Sequence, residues 1–145
     1  MDALRILSPI HRATRQIGMY LEGEIKPLGV SIVEGHILSY LLSYSPCSIR
    51  ELNRVFGYKP STLTSILDRL VERDLITRRV NPGDRRSWIV ILQTGGKGLA
   101  LKLRKLLDSF ESEVLKNLDR NDIESFNNVM EAIAKVTEVK VRNKS

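Results

Sequence analysis

Residues 61–92 read STLTSILDRLVERDLITRRVNPGDRRSWIVIL. Two periods meet in this stretch. From Ser61 to Arg73 the apolar residues Leu63, Ile66, Leu67 and Leu70 recur at helical spacing, and Ser61 stands as the expected N-cap. From residue 75 the period shortens to two. Segments 75–80 (LITRRV) and 87–92 (SWIVIL) alternate and are rich in β-branched side chains. Between them lies 81–86 (NPGDRR), two turn formers and a glycine in a polar run. A helix followed by a β-hairpin is therefore predicted.

Upstream, Ser48 caps a short helix with Glu51 three residues later, Leu52 and Val55 inward, and Gly57 as its stop. Ser31, with Glu34 in the matching position, caps another helix carrying Ile32, Val33, Ile37, Leu38, Leu41 and Leu42, which stops at 43–46 (SYSP). Two short helices joined by a tight turn, then a hairpin, describe a helix-turn-helix with a wing across residues 31–93. On the N-terminal side, Ser8-Pro9 opens a helix over 9–28 with a stripe of Ile10, Ile17, Tyr20, Leu21, Ile25 and Leu28. On the C-terminal side, residues 95–138 hold two more helices. The first runs to about Leu118 with Leu99, Leu103, Leu106, Phe110 and Val114 on one face, although its first turn, Gly95-Gly96-Lys97-Gly98, is poor helix material. The second is capped by Asn121 with Glu124 and carries Ile123, Phe126, Met130, Ile133 and Val136. The tail, 139–145, is expected to fray.

The predicted fold class is mainly α with a small β-hairpin wing: one domain over 1–145, a winged helix-turn-helix core, and flanking N- and C-terminal helices. The core has little surface left to cover the stripes of those flanking helices. Two copies covering each other is the economical solution, so the terminal helices are expected to make a homodimer.

The 145 residues are 42% hydrophobic and 28% charged, with a formal net charge of +6, the composition of a soluble globular chain that favours a polyanionic partner. Most of the excess is local. Between Arg50 and Arg86 nine basic residues face five acidic ones, a difference of +4. Cys47 is the single cysteine, so no intrachain disulfide forms, and a reducing cytoplasm is the expected location. Its place before the third helix reads as a small semi-buried filler rather than a thiol sensor. The sequence shows neither an apolar run near the ~20 residues that span a bilayer nor a signal-peptide core, so no membrane partner is expected. His11 and His36 lie far apart with no carboxylate cluster beside them, so no metal is expected. With no Gly-rich phosphate loop and no nucleophile elbow, neither an enzyme nor a cofactor is expected.

At this point the residues resemble the MarR family of bacterial and archaeal regulators, over roughly residues 10–137. The resemblance rests on 48–52 (SIREL), 61–70 (STLTSILDRL), 75–79 (LITRR), 84–87 (DRRS) and 92–98 (LQTGGKG). The family's Asp-x-Arg wing signature is matched by Asp84 and Arg86. Its Leu-Thr-x-x-Gly pattern appears with one residue inserted, and Asp74 stands where family members usually have glycine. Aspartate tolerates the left-handed conformation better than most residues, so the turn is expected to survive. The resemblance implies a sequence-specific, double-stranded-DNA-binding transcriptional regulator, a ligand-responsive repressor acting as a homodimer on a pseudo-palindromic operator. It also implies a cleft for a small phenolic or lipophilic effector, for which Tyr20, Tyr40 and Tyr44 are the candidate lining residues. The alternative reading is a winged-helix protein-interaction module or anti-regulator without a DNA site of its own.

The candidate DNA-binding residues follow from the frame. Ser61, Thr62, Thr64, Ser65 and Arg69 form the polar face of the recognition helix, where small hydroxyls allow close approach to base edges and phosphates. Arg50, Arg54 and Lys59 lie near the turn, where the backbone would pass. Arg86 on the wing suits a minor groove, with Asp84 expected to hold it extended by a charge-assisted bond. Arg85, Arg78 and Arg79 either touch phosphates or solubilise the hairpin. Trp88 is expected to pack rather than to stack on a ligand.

Overall fold

The computed structural model describes residues 1–139. The frayed tail predicted for 139–145 therefore lies, from residue 140 on, outside the described residues. Helix α1 spans Leu7–Ile25 and tightens into a 3-10 turn, Lys26–Leu28. Helix α2 is Ile32–Tyr44, strand β1 Cys47–Ser48, helix α3 Ile49–Phe56 and helix α4 Pro60–Glu72. Strands β2 (Ile76–Asn81) and β3 (Asp84–Leu92) form the hairpin, followed by α5 (Thr94–Leu115) and α6 (Arg120–Thr137). The order matches the predicted one, with β1 added.

That extra strand completes a three-stranded antiparallel sheet in the order β1-β3-β2. Cys47 pairs with Val90 and Ser48 with Ile89, while β2 pairs with β3 from Ile76↔Leu92 to Val80↔Trp88. The turn is shorter than predicted. Strand β3 begins at Asp84, so Asp84, Arg85 and Arg86 are strand residues and only Pro82 and Gly83 lie between the strands. A register irregularity between Val80 and Asn81 closes the tip, where the Gly83 N–H donates to Asn81 Oδ1 at 3.0 Å.

The core sits inside the winged-helix lobe. Ile37, Leu38 and Leu41 of α2, Leu52 of α3, Leu63, Leu67 and Leu70 of α4, and Ile76 and Val90 of the sheet are all fully buried. Each such side chain contributes about 1.5–3 kcal/mol of transfer free energy, so the predicted stripe of α4 is what fixes the recognition helix to the lobe. Leu21 and Ile25 of α1 and Ala100 and Leu103 of α5 join the same core. Cys47 is buried within it, more deeply than the semi-buried filler expected.

Two caps behave as predicted. The Ser31 and Ser48 hydroxyls accept from the Glu34 and Glu51 backbone N–H groups at 3.2 and 3.0 Å. Three do not. Helix α1 starts at Leu7 without a side-chain cap, so Ser8 is inside it. Helix α4 starts one residue early because Pro60, which has no N–H to satisfy, fits the first helical position, and Lys59 rather than Ser61 is its N-cap. Helix α6 is capped by Asp119, not Asn121, in a reciprocal box with Asp122, each side chain accepting from the other's backbone N–H at 2.9 Å. The substitution of aspartate in the turn before β2 works as expected, with Asp74 at φ 56°.

The glycine run at the start of α5 is helical despite its low propensity. Gly96 explains this. It is buried, and a Cβ there would overlap the Leu75 carbonyl oxygen, so the absence of a side chain lets α5 pack against the entry to β2.

Outside the lobe, no side chain of α6 is buried. Phe126 is 58% exposed and Val136 85%. Helices α1, α5 and α6 instead frame an open groove of about 1030 Å³ lined by Ile17, Tyr20, Leu107, Phe110, Val114 and Phe126 among others.

Candidate nucleic-acid interface

The four hydroxyl residues of the predicted recognition face lie on the first two turns of α4 and are all exposed. Two of them are partly committed. Thr64 Oγ1 donates to the Pro60 carbonyl at 2.9 Å and Ser65 Oγ to the Ser61 carbonyl at 3.1 Å. With their protons turned back into the helix, these oxygens face outward mainly as acceptors. Lys59 sits at the exposed N-cap of α4, where it replaces the predicted cap and adds a cation to the positive end of the helix dipole.

Helix α3 presents Arg50 and Arg54 to solvent. Arg54 lies 3.8 Å from Glu51, a half-exposed pair worth little. The sheet and α4 are tied by Arg78, whose guanidinium reaches Asp68 at 2.7 Å. Thr64 and Val71 of α4 and Arg78 and Trp88 of the hairpin line one groove of about 670 Å³. The recognition helix and the wing stem therefore share a continuous surface. Trp88 departs from the expectation that it packs. It is 49% exposed, opposite Val80 at 43%, because the hairpin has run past the edge of the core at that register.

The wing carries Asp84, Arg85 and Arg86, all exposed. Asp84 does not hold the Arg86 guanidinium as predicted. Its Oδ1 accepts from the Arg86 backbone N–H at 3.0 Å, and its carbonyl accepts from Ser87 Oγ at 3.1 Å. The carboxylate thus shapes the start of β3, since an amide two residues on is the nearer donor in this tight turn. Among the described residues no carboxylate pairs with the Arg86 side chain.

Arg69 is exposed like the rest of that face and also has a partner inside the lobe. It belongs to a cluster that sequence reasoning missed. Its Nε donates to Glu34 Oε1 of α2 at 3.1 Å, and Arg73 approaches Glu34 Oε2 at 3.8 Å while donating to the Gly29 carbonyl at 2.7 Å. The signal was present: Arg69 and Arg73 stand one helical turn apart, and Glu34 is an acid within an apolar run. After these pairings the cations left without a carboxylate among the described residues of the lobe are Arg50, Lys59, Arg79, Arg85 and Arg86. All are exposed, and they fall at the front of the helix-turn-helix and on the wing.

The candidate effector tyrosines are not brought together in one cleft. Tyr20 lines the groove between the terminal helices, where its ring meets Phe110 at 5.2 Å. Tyr40 and Tyr44 stack on each other at 4.5 Å on α2, and Tyr40 continues edge-on to Phe56, which stacks on Tyr58. The Tyr40 hydroxyl donates to Glu51 at 3.1 Å. Burial, with the Glu51 carboxylate beside it, pushes the Tyr40 hydroxyl up to about 12. The Cys47 thiol rises to about 12 for the same two reasons in the same order, which leaves it protonated and a poor nucleophile.

The MarR family model matches residues 30–88, the span from just before α2 to Trp88. Multiple antibiotic resistance protein MarR of Escherichia coli (strain K12) is 27% identical over 115 residues, covering 79% of this chain and 80% of that protein. Among solved structures, the MepR–DNA complex of S. aureus superposes with a TM-score of 0.81 at 17% identity, covering 92% of this chain and 99% of that one. A mutant of E. coli MarR complexed with operator DNA gives 0.75 at 24% identity, covering 87% and 91%. These two likenesses speak for the fold. Over its winged-helix lobe the chain matches the MarR family model, and over most of its length it is similar to E. coli MarR.

Proposed function

We propose that the chain is a transcriptional regulator that binds double-stranded DNA as a homodimer. The observation that carries this reading is the groove in which Thr64 of the exposed hydroxyl face of α4 meets Arg78 and Trp88 of the hairpin, whose far end carries the exposed Arg85 and Arg86. An α-helix fits the major groove, and an arginine on a projecting hairpin fits the adjacent minor groove. Ser61, Thr62, Thr64 and Ser65 read bases. Arg50, Arg54, Lys59 and Arg85 neutralise phosphates, Arg86 enters the minor groove, and Asp84 positions it through the backbone. MepR and E. coli MarR have both been solved with DNA, which supports the same use of the fold here.

The homodimer rests on the unburied face of α6 and the apolar groove among α1, α5 and α6. A second copy supplies apolar helices of matching character. The regulator is further proposed to be a ligand-responsive repressor, with the effector a small phenolic or lipophilic molecule. Tyr20, in that groove, and the Tyr40–Tyr44 pair are then two separate candidate contacts rather than one cleft.

Titration of DNA at several salt concentrations tests the reading. Affinity falls steeply with salt because each neutralised phosphate releases condensed counterions. Arg86→Ala weakens binding by about 1–3 kcal/mol while the protein stays folded. Asp84→Ala weakens it less, because its carboxylate holds an amide rather than the guanidinium. Salt-independent binding, or an Arg86→Ala protein that binds like the parent, contradicts the reading.

A further inference from the structure

Among the described residues Glu34 is the one charged side chain that is buried, 8% exposed. Its surroundings join three parts of the molecule. It sits in the first turn of α2, where the helix dipole favours a negative charge. Arg69 and Arg73 come from the last turn of α4 and its C-cap, where a positive charge is favoured. The carboxylate takes Arg69 on one oxygen and Arg73 on the other. Arg73 then reaches past it to the carbonyl of Gly29, the left-handed residue that ends the 3-10 turn after α1. One carboxylate thus pins the C-terminal end of the recognition helix to both α2 and the junction with the N-terminal helix.

Apolar packing holds α4 against the lobe but is non-directional, and it leaves small rotations of the helix cheap. A charge-assisted hydrogen bond such as that from Arg69 Nε to Glu34 Oε1 is directional and does not. Base readout by short serine and threonine side chains depends on that orientation more than readout by long, flexible cations does.

We propose that Glu34 is the positioning residue of the recognition helix, and that Arg69 serves DNA recognition by gripping Glu34 rather than by touching DNA. The proposal rests on the DNA-binding reading above. Glu34→Gln removes the charged partner of two half-exposed guanidinium groups, with 53% and 42% of their side chains accessible; Arg69 is then available to a phosphate, while Arg73 keeps its bond to the Gly29 carbonyl. Binding to the selected site then weakens relative to binding to scrambled DNA, so the selectivity ratio falls about tenfold, while affinity for scrambled DNA holds or rises.

The experiment measures that ratio for the full-length protein, for Glu34→Gln, for Arg69→Gln and for the double variant. Amide hydrogen exchange of residues 61–73 is followed in the free proteins. Positioning predicts equal losses of selectivity in the two single variants, no further loss in the double variant, and faster exchange in α4 without DNA present. Direct contact by Arg69 predicts loss for Arg69→Gln alone, with Glu34→Gln unchanged or tighter on the selected site; that result overturns the proposal. Unchanged exchange in Glu34→Gln also overturns it. Failure of the parent protein to bind any DNA, with exchange still accelerated in the variants, sinks the DNA-binding reading and leaves the grip itself standing.

Discussion

Cys47 and Tyr40 show how far a single residue can be read without its surroundings. Cys47 is a small apolar filler, as its position suggested, but the sequence did not reveal that it lies in a strand against Val90 with Glu51 nearby. Nor did it reveal that Tyr40 is engaged by the same carboxylate. Both depend on neighbours from other elements. Their consequence is a pH dependence whose sign can be worked out. Each group holds its proton up to about 12 in the folded chain. In the unfolded chain they release theirs near the ordinary values of 9.0 and 10.0. Above about pH 9 the unfolded state therefore binds fewer protons, and stability falls as pH rises towards 12. The limiting slope is about 1.4 kcal/mol per pH unit for each group. Urea midpoints at pH 8, 10 and 11 are expected to fall in that order, and the combined Cys47→Ala and Tyr40→Phe variant is expected to flatten the fall. A midpoint constant up to pH 11 contradicts the assignment.

At the scale of elements, the helices were legible because their apolar periods are long and unambiguous. The bounds were not. Serine, asparagine and aspartate crowd several helix starts, and only geometry decides which of them reaches an amide, as Pro60 and Asp119 show. Strand β1 escaped notice because two residues carry no period. The Glu34–Arg69–Arg73 cluster escaped because Glu34 lies 35 residues from Arg69 in the chain. Helix α4 keeps its predicted buried stripe though not its predicted cap, and its proposed division of labour is testable. Under the proposed function Thr64, its proton turned back to the Pro60 carbonyl, would offer an oxygen lone pair to a base, while Lys59 would offer only charge. Thr64→Ala is expected to change the preferred bases. Lys59→Ala is expected to weaken binding to all sequences alike and to flatten the salt slope by about one unit. Titrations on matched and scrambled sites separate the two, and the same loss pattern for both variants refutes the division.

For the molecule as a whole, the sequence pointed to a dimer by a deficit: more apolar helix than one lobe can cover. The structure carries the same deficit in the exposed Phe126, Val114 and Val136 and in the open groove beside them. Sedimentation is expected to give about twice 16.5 kDa at micromolar concentration. Phe126→Asp is expected to shift the protein towards monomer, because a carboxylate buried at such an interface without a partner is costly. A folded monomer from the parent chain contradicts the proposed pairing of terminal helices.

A two-fold dimer carries two recognition helices related by symmetry, so the DNA it prefers must carry that symmetry too. Selection of bound sequences from random double-stranded DNA tests this most directly. The expected result is a pseudo-palindrome whose half-site centres lie about 10 base pairs apart, roughly one helical turn. Recovery of a single unrepeated half-site, or of no enriched sequence at all, would contradict the account.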